Sequence, residues 1–196
     1  MTQSKPRFRT IEEYLNYDDG TDTRCELVDG ELIELPTESP INALIARFLL
    51  VYFVQMGTSI ERVGDKQQIA VTSSMATARE PDLTVHSEAS AAAILTQQQA
   101  LLRLDMPNPL LVIEVVSPGN PGTRNYDRDY VEKRQEYAAR GILEYWLIDP
   151  SRSVVVVLTL LEHSYQEQSF MGQAAIVSPT FPDLQLTAEQ ILNAGR

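Results

Sequence analysis

The sequence predicts a mixed α/β fold: a sheet whose central pair of strands is parallel, with antiparallel strands around it and helices flanking it. Three observations predict it. Two apolar strands, 110–116 (LLVIEVV) and 143–149 (LEYWLID), are separated by an SPGNPG loop and a helix over about 126–140. A strand, loop, helix, strand crossover of that length joins parallel neighbours, normally with right-handed sense. CELVDGELIEL sets two short alternating runs around Asp29 and Gly30, the pair a two-residue hairpin turn favours, and VVVVLTLL with SYQEQSF reads as a second antiparallel hairpin turning at Glu162 and His163.

Taken in order, Thr10 and Glu13 match a capping box, and Ile11, Tyr14 and Leu15 give the short helix after it an apolar side. The Asp29-Gly30 hairpin follows. Over 41–56 apolar residues recur at helical spacing up to Gly57, a helix stop, so a long, mostly buried helix is expected. Short strands are expected around 60–63 and 66–71, and REPDLTV opens another at Asp82, behind a proline that forbids helix continuation. The alanine- and glutamine-rich stretch 88–104 reads as partly helical. Strand 110–116 ends in prolines and glycines that can only be loop, and helix 126–140 stops at Gly141. Thr187 with Gln190 caps a last short helix. No repeat, low-complexity tract or long linker divides the sequence, so a single domain over 1–196 is expected.

The 196 residues, 43% of them hydrophobic, suffice for one well-buried core. Cys25 is the only cysteine, which excludes an intramolecular disulfide, and with two histidines it cannot supply an ordinary structural zinc site. MTQSKPRFRT lacks the apolar core of a signal peptide, and LIARFLLVYFV is interrupted by Arg47 and too short for a bilayer. A soluble, cytoplasmic protein with no membrane partner is expected. The net charge of −11 argues against coating nucleic acid through a general field, so a polyanion must find a local site. Between 124 and 140, Arg124, Arg128, Lys133, Arg134 and Arg140 outnumber Asp127, Asp129, Glu132 and Glu136 by one. That pattern describes a polyanion contact or an ordinary solvated helix face.

Glu114 is the anomaly. Strand alternation puts it on a face with Val112 and Val116, while Leu111, Ile113 and Val115 point the other way. If that face is covered, the carboxylate must be neutral, paired or bound to a cation. An edge strand with Glu114 in water is the plain alternative. The position near the carboxyl end of a crossover strand is where ligands of open α/β sheets gather. Two further acids have plain explanations of their own: Asp82 as a cap at a strand start, Glu26 on a wet face of the first hairpin. Converging, the three would repel one another strongly, and a hard divalent cation held through oxygens relieves that. Lys133 could supply the positive group such a site lacks. Tyr130, Lys133, Arg134 and Tyr137 share one side of the helix that follows Glu114.

These motifs, ELVDGELIEL, PTESPIN, REPDLTV, PLLVIEVVSPG, RDYVEKRQEYAARGILEYWLIDP and FPDLQLTAEQIL, together resemble the Uma2 family of restriction-endonuclease-like proteins, in order and over nearly the whole chain. The resemblance implies a PD-(D/E)xK nuclease fold, a central mixed sheet flanked by helices with metal-binding acids along its strands. It matches Pro81 and Asp82 to the PD element and Glu114 to the acid of the ExK element. Val116 stands where that motif has lysine, and the resemblance implies that Lys133 takes the lysine's part from the following helix, with Glu26 helping the metal and Gln68 assisting. Glu26, Asp82, Glu114 and Lys133 are then the expected catalytic residues, and Asp82, Glu114 and Glu26 the expected ligands of Mg²⁺ or Mn²⁺.

The function so implied is a metal-dependent endonuclease hydrolysing DNA, working as a homodimer because cutting both strands needs two active sites or one that works twice. The alternative is a catalytically degenerate member that binds nucleic acid or protein. Val116 and the acidic composition favour that alternative, and the four retained residues favour the enzyme. A small-molecule enzyme using SPGNPG as a phosphate loop fits less well, because its glycines match no known cradle.

Overall fold

The computed structural model describes residues 6–18, 20–21, 23–35, 37–194 and 196, so the first five residues of the amino-terminal stretch lie outside it. Helix α1 (Ile11–Leu15) starts at Thr10, whose hydroxyl accepts the Glu13 N–H. Only half of the expected box forms, because the Glu13 carboxylate reaches back to the Arg9 N–H instead. Strands β1 (Cys25–Val28) and β2 (Glu31–Glu34) make the first hairpin. Asp29 (φ 47°) and Gly30 (φ 80°) are both left-handed, as a type I′ turn requires. A Cβ at Gly30 would also lie 2.7 Å from Phe8 O.

Helix α2 (Pro40–Gln55) opens on a proline, whose missing N–H is unneeded in the first turn, and stops before Gly57 at φ 100°. The strand expected over 60–63 is a 3₁₀ turn (Ile60–Arg62) with only β3 (Val63–Gly64) extended. Strand β4 (Gln68–Val71) starts later than expected because Lys66 takes a left-handed φ of 54°. Strand β5 (Thr77–Arg79) is followed by β6 (Leu83–Val85), which begins one residue after Asp82. The 88–104 stretch holds α3 (Glu88–Ile94) and a short β7 (Leu101–Leu102).

The crossover is β8 (Leu111–Val115), α4 (Arg124–Asp127), a π-helical turn (Arg128–Glu132), α5 (Lys133–Arg140) and β9 (Glu144–Asp149). The second hairpin, β10 (Val154–Leu161) with β11 (Ser164–Phe170), turns at Glu162, whose φ is 54°. A complete capping box between Thr187 and Gln190 starts α6 (Ala188–Leu192).

The strands form two sheets. One has the order β11-β10-β9-β8-β6-β3, and β8 pairs in parallel with β9 between antiparallel neighbours, as the crossover predicts. The other, β2-β1-β5-β4-β7, takes the first hairpin away from the sheet that carries Glu114. The chain passes between the sheets through Glu80, Pro81 and Asp82, where a proline without an N–H interrupts neither ladder.

Apolar patterning layers these elements. Leu111, Ile113 and Val115 pack with Ile45, Leu49 and Phe53 of α2 and with Trp146. On the opposite face Val112 and Val116 join Tyr137 of α5, Ile69 and Val71 of β4, and Tyr145. Each fully buried aliphatic side chain there contributes about 1.5–3 kcal/mol. Helix α5 therefore packs one side, with Lys133 and Tyr137, between the two sheets. A third cluster, with Phe8, Leu27 and Ala78, closes the outer face of the second sheet beneath α1. Among the described residues no helix is long and apolar enough to cross a membrane.

Candidate active site

Glu114 lies on an interior strand and is 4% exposed, so the edge-strand alternative does not hold. Its face is covered by α5, from which Lys133 Nζ donates to Glu114 Oε1 at 2.9 Å and Tyr137 O–H donates to the same oxygen at 3.3 Å. Antiparallel pairing of Leu83 with Ile113 carries Asp82 to the level of Glu114, and Asp82 Oδ2 accepts the Val115 N–H at 2.6 Å. Asn42, near the start of α2, donates to Val115 O and pins that helix beside the same strand end.

Glu26 reaches the cluster from the other sheet. Leu27 faces outward on β1, which turns Glu26 toward α5, where it is 1% exposed and not on a wet face. Lys133 Nζ lies 2.8 Å from Glu26 Oε1, and the Glu80 N–H donates to that oxygen as well. Lys133, 2% exposed, thus joins the two sheets, with Asp129 Oδ1 3.7 Å away. Glu26, Asp82, Glu114, Lys133 and Arg128 line one pocket.

The charges have definite consequences. Burial alone would lower the Lys133 pKa, but Glu114, Glu26 and Asp129 together hold it above its ordinary value, so the ammonium stays charged. Burial would raise Glu26, but Lys133, Arg79 and the Glu80 N–H bring it below the usual carboxylate range. Glu114 is pushed well up, first by burial and then by Asp82, Asp129 and Glu26, with Lys133 offsetting part. Asp82 is pushed up to about 7 by burial against the Val115 N–H, with Glu38 adding repulsion. Among the described residues five acids, Glu26, Glu38, Glu80, Asp82 and Glu114, line the pocket against three cations, Arg24, Arg128 and Lys133.

Asp82 gives a pH test. Its folded pKa, about 7, exceeds its ordinary 3.8, so the folded chain holds the proton more tightly and this group's stabilisation is lost as pH rises from about 4 through 7. Asp82→Asn keeps an oxygen for the Val115 N–H and removes the charge. In EDTA at pH 8 it should be more stable than wild type by at least about 1 kcal/mol, an advantage gone below pH 4. Identical pH dependence of the two melting temperatures would show that Asp82 is not strained by its charge.

Several partners carried no sequence signal strong enough to single them out. Arg79, on β5, donates to Glu26 at 3.4 Å, to Glu132 at 2.9 Å and through two nitrogens to Glu136 at 2.7 and 2.8 Å. Burial would lower its pKa, but Glu136, Glu26 and Glu132 hold it above the ordinary value. A lone arginine just before the PD element was the available clue, and Asp129 four residues before Lys133 was another. Gln68 does not join the site, since its amide is bonded to Tyr14 and Cys25. The basic run 124–140 disperses: Arg134 bonds Glu167 and Tyr165 O, Arg140 bonds Asn108 and Arg103 O, and Arg128 alone lines the pocket beside Lys133.

Among the described residues no group of three or more His, Cys, Asp or Glu side chains is arranged to hold a metal ion. Lys133 stands between Glu26 and Glu114, which keeps those two carboxylates apart. Asp82 and Glu114 remain as a pair, one just before β6 and the other on its neighbour β8. Glu114 Oε2 and Asp82 Oδ1 receive no hydrogen bond from the described residues, and both side chains line the pocket. That donor set fits a small divalent cation, which commonly uses one or two carboxylates and keeps waters or substrate phosphate elsewhere.

A family model, Uma2, described as "putative restriction endonuclease", matches residues 11–189. A crystal structure of "a putative nuclease belonging to DUF820" from Anabaena variabilis superimposes with a TM-score of 0.69 at 17% identity, covering 95% of this chain and 99% of that one. At that identity the likeness shows a shared fold. No curated protein matches the sequence.

Proposed function

The chain belongs to the Uma2 family, and from that premise we propose that it is a divalent-metal-dependent endonuclease that hydrolyses DNA phosphodiester bonds. One observation carries the reading: two carboxylates, Asp82 and Glu114, open on one pocket with a buried lysine bonded to one of them. Asp82 and Glu114 would hold Mg²⁺ or Mn²⁺. When bound, such an ion supplies a water of lowered pKa and offsets phosphate charge.

The chain's own residues do the rest. Val116, where the motif lysine would stand, is buried in the core. Lys133 brings the positive charge to the pocket from α5, orients Glu114 and steadies charge developing on the reacting phosphate. Glu26, bonded through one oxygen to Lys133 and the Glu80 N–H and through the other to Arg79, keeps the ammonium in place. Held there, it would help a bound cation through water or by accepting that water's proton. Two such sites in a symmetric dimer would address both DNA strands.

Purified protein should nick or linearise plasmid DNA in Mg²⁺ or Mn²⁺, and EDTA should abolish the cleavage. A second reading, a binding module, is favoured by one feature: Lys133 is already engaged by Glu26 and Glu114. Protein that is stabilised by Mg²⁺ in thermal melts yet leaves every DNA form intact would decide for the module.

A further inference from the structure

The helix that carries Lys133 contains the π turn Arg128–Glu132, in which the Lys133 N–H bonds Arg128 O, five residues back. In an uninterrupted α-helix, residues five apart point roughly 140° away from each other. The wider turn instead lets Arg128 and Lys133 line the same pocket, beside Asp82 and Glu114. Turns of this kind are frequent at functional sites.

Of the pocket's cations, Lys133 is bonded to Glu26 and Glu114, and the half-exposed Arg24 donates through Nε and Nη2 to a single oxygen of Glu80. Arg128 instead engages both oxygens of a buried carboxylate. Its Nε and Nη2 form a fork with the Asp129 carboxylate at 2.7 and 2.9 Å, which fixes the guanidinium plane, while Nη1 donates to none of the described residues. The side chain keeps 19% of its surface exposed, and Asp129 keeps 1%. A guanidinium held on one edge by a buried carboxylate and open on the other is built to donate to an anion, and phosphate oxygens suit that planar edge.

We infer that Arg128 is the phosphate contact of this pocket, binding a non-bridging oxygen of the phosphodiester seated against Asp82 and Glu114, and that the π turn brings it there. The inference rests on the nuclease reading and adds a substrate-binding group to it. It also accounts for how a chain of net charge −11 meets a polyanion locally.

The test is anisotropy of a fluorescein-labelled phosphorothioate DNA duplex in Mg²⁺ across a salt series. Arg128→Gln should weaken binding about tenfold and reduce the slope of log affinity against log salt by about one. Arg134→Ala, away from the pocket, should leave the slope unchanged. Arg128→Lys keeps a charge beside Asp129, and so the fold, but lacks the fork; it should retain the wild-type slope with affinity several-fold lower. Should Arg128→Gln not fold, that affinity loss in Arg128→Lys carries the test alone. A wild-type slope and affinity in both Arg128 variants overturns the phosphate contact while leaving the nuclease reading standing. Wild-type protein without affinity for DNA overturns both.

Discussion

Lys133→Met is expected to reduce DNA cleavage on the order of 10²–10³-fold or more and to destabilise the fold at pH 8 by about 3–5 kcal/mol. Methionine nearly matches the lysine stem in volume, so the loss is of charge and hydrogen bonds and not of packing. Two buried carboxylates lose their shared cation. Glu26 keeps Arg79 and the Glu80 N–H, whereas Glu114 keeps only the Tyr137 hydroxyl. Its pKa is already raised, and removing Lys133, which opposes that rise, sends it higher. A carboxyl whose folded pKa lies above its unfolded value stabilises the fold when protonated and loses that contribution as pH rises through the folded pKa. Adding Glu114→Gln to Lys133→Met should therefore recover part of the loss at pH 8, because no carboxylate then has to take up a proton on burial. Urea unfolding of the single and double variants measures it, and no recovery would remove Glu114 as the affected partner.

Arg79→Met should also destabilise by about 3–5 kcal/mol, because Glu26 and the largely buried Glu136 are left facing a thioether. The consequence for the site is positional. Arg79 ties β5 and Glu26 of one sheet to Glu132 and Glu136, which flank Lys133 on its helix. Without it the helix can shift against the second sheet, and the 2.8 Å contact of Lys133 with Glu26 is no longer held from both sides. Arg79→Lys should not restore stability, since a single ammonium cannot donate to three carboxylates in one plane. Pairing Arg79→Met with Glu26→Gln should cost clearly less than the sum of the two single changes. Additive costs would mean that the two side chains are not coupled.

Much was legible without coordinates because it rests on local periodicity. Alternation along LLVIEVV assigned Glu114 the face it shares with Val112 and Val116, and that face is the one α5 covers. Helical spacing set Lys133 and Tyr137 on one side of the following helix, and both meet Glu114. Asp29 and Gly30 specified their turn through the sign of φ. The tertiary structure decided what is non-local or too short to have a period. A strand of three residues such as Thr77–Arg79 has no alternation to read, so neither the second sheet nor the place of Arg79 could be seen. Its bond to Glu26 spans 53 residues. The π turn has no sequence signature, because an α-helix and a π turn differ by one hydrogen-bond register that packing selects. Which two of the five basic residues enter the pocket follows from that register, and so does the meeting of one buried lysine with acids from two sheets.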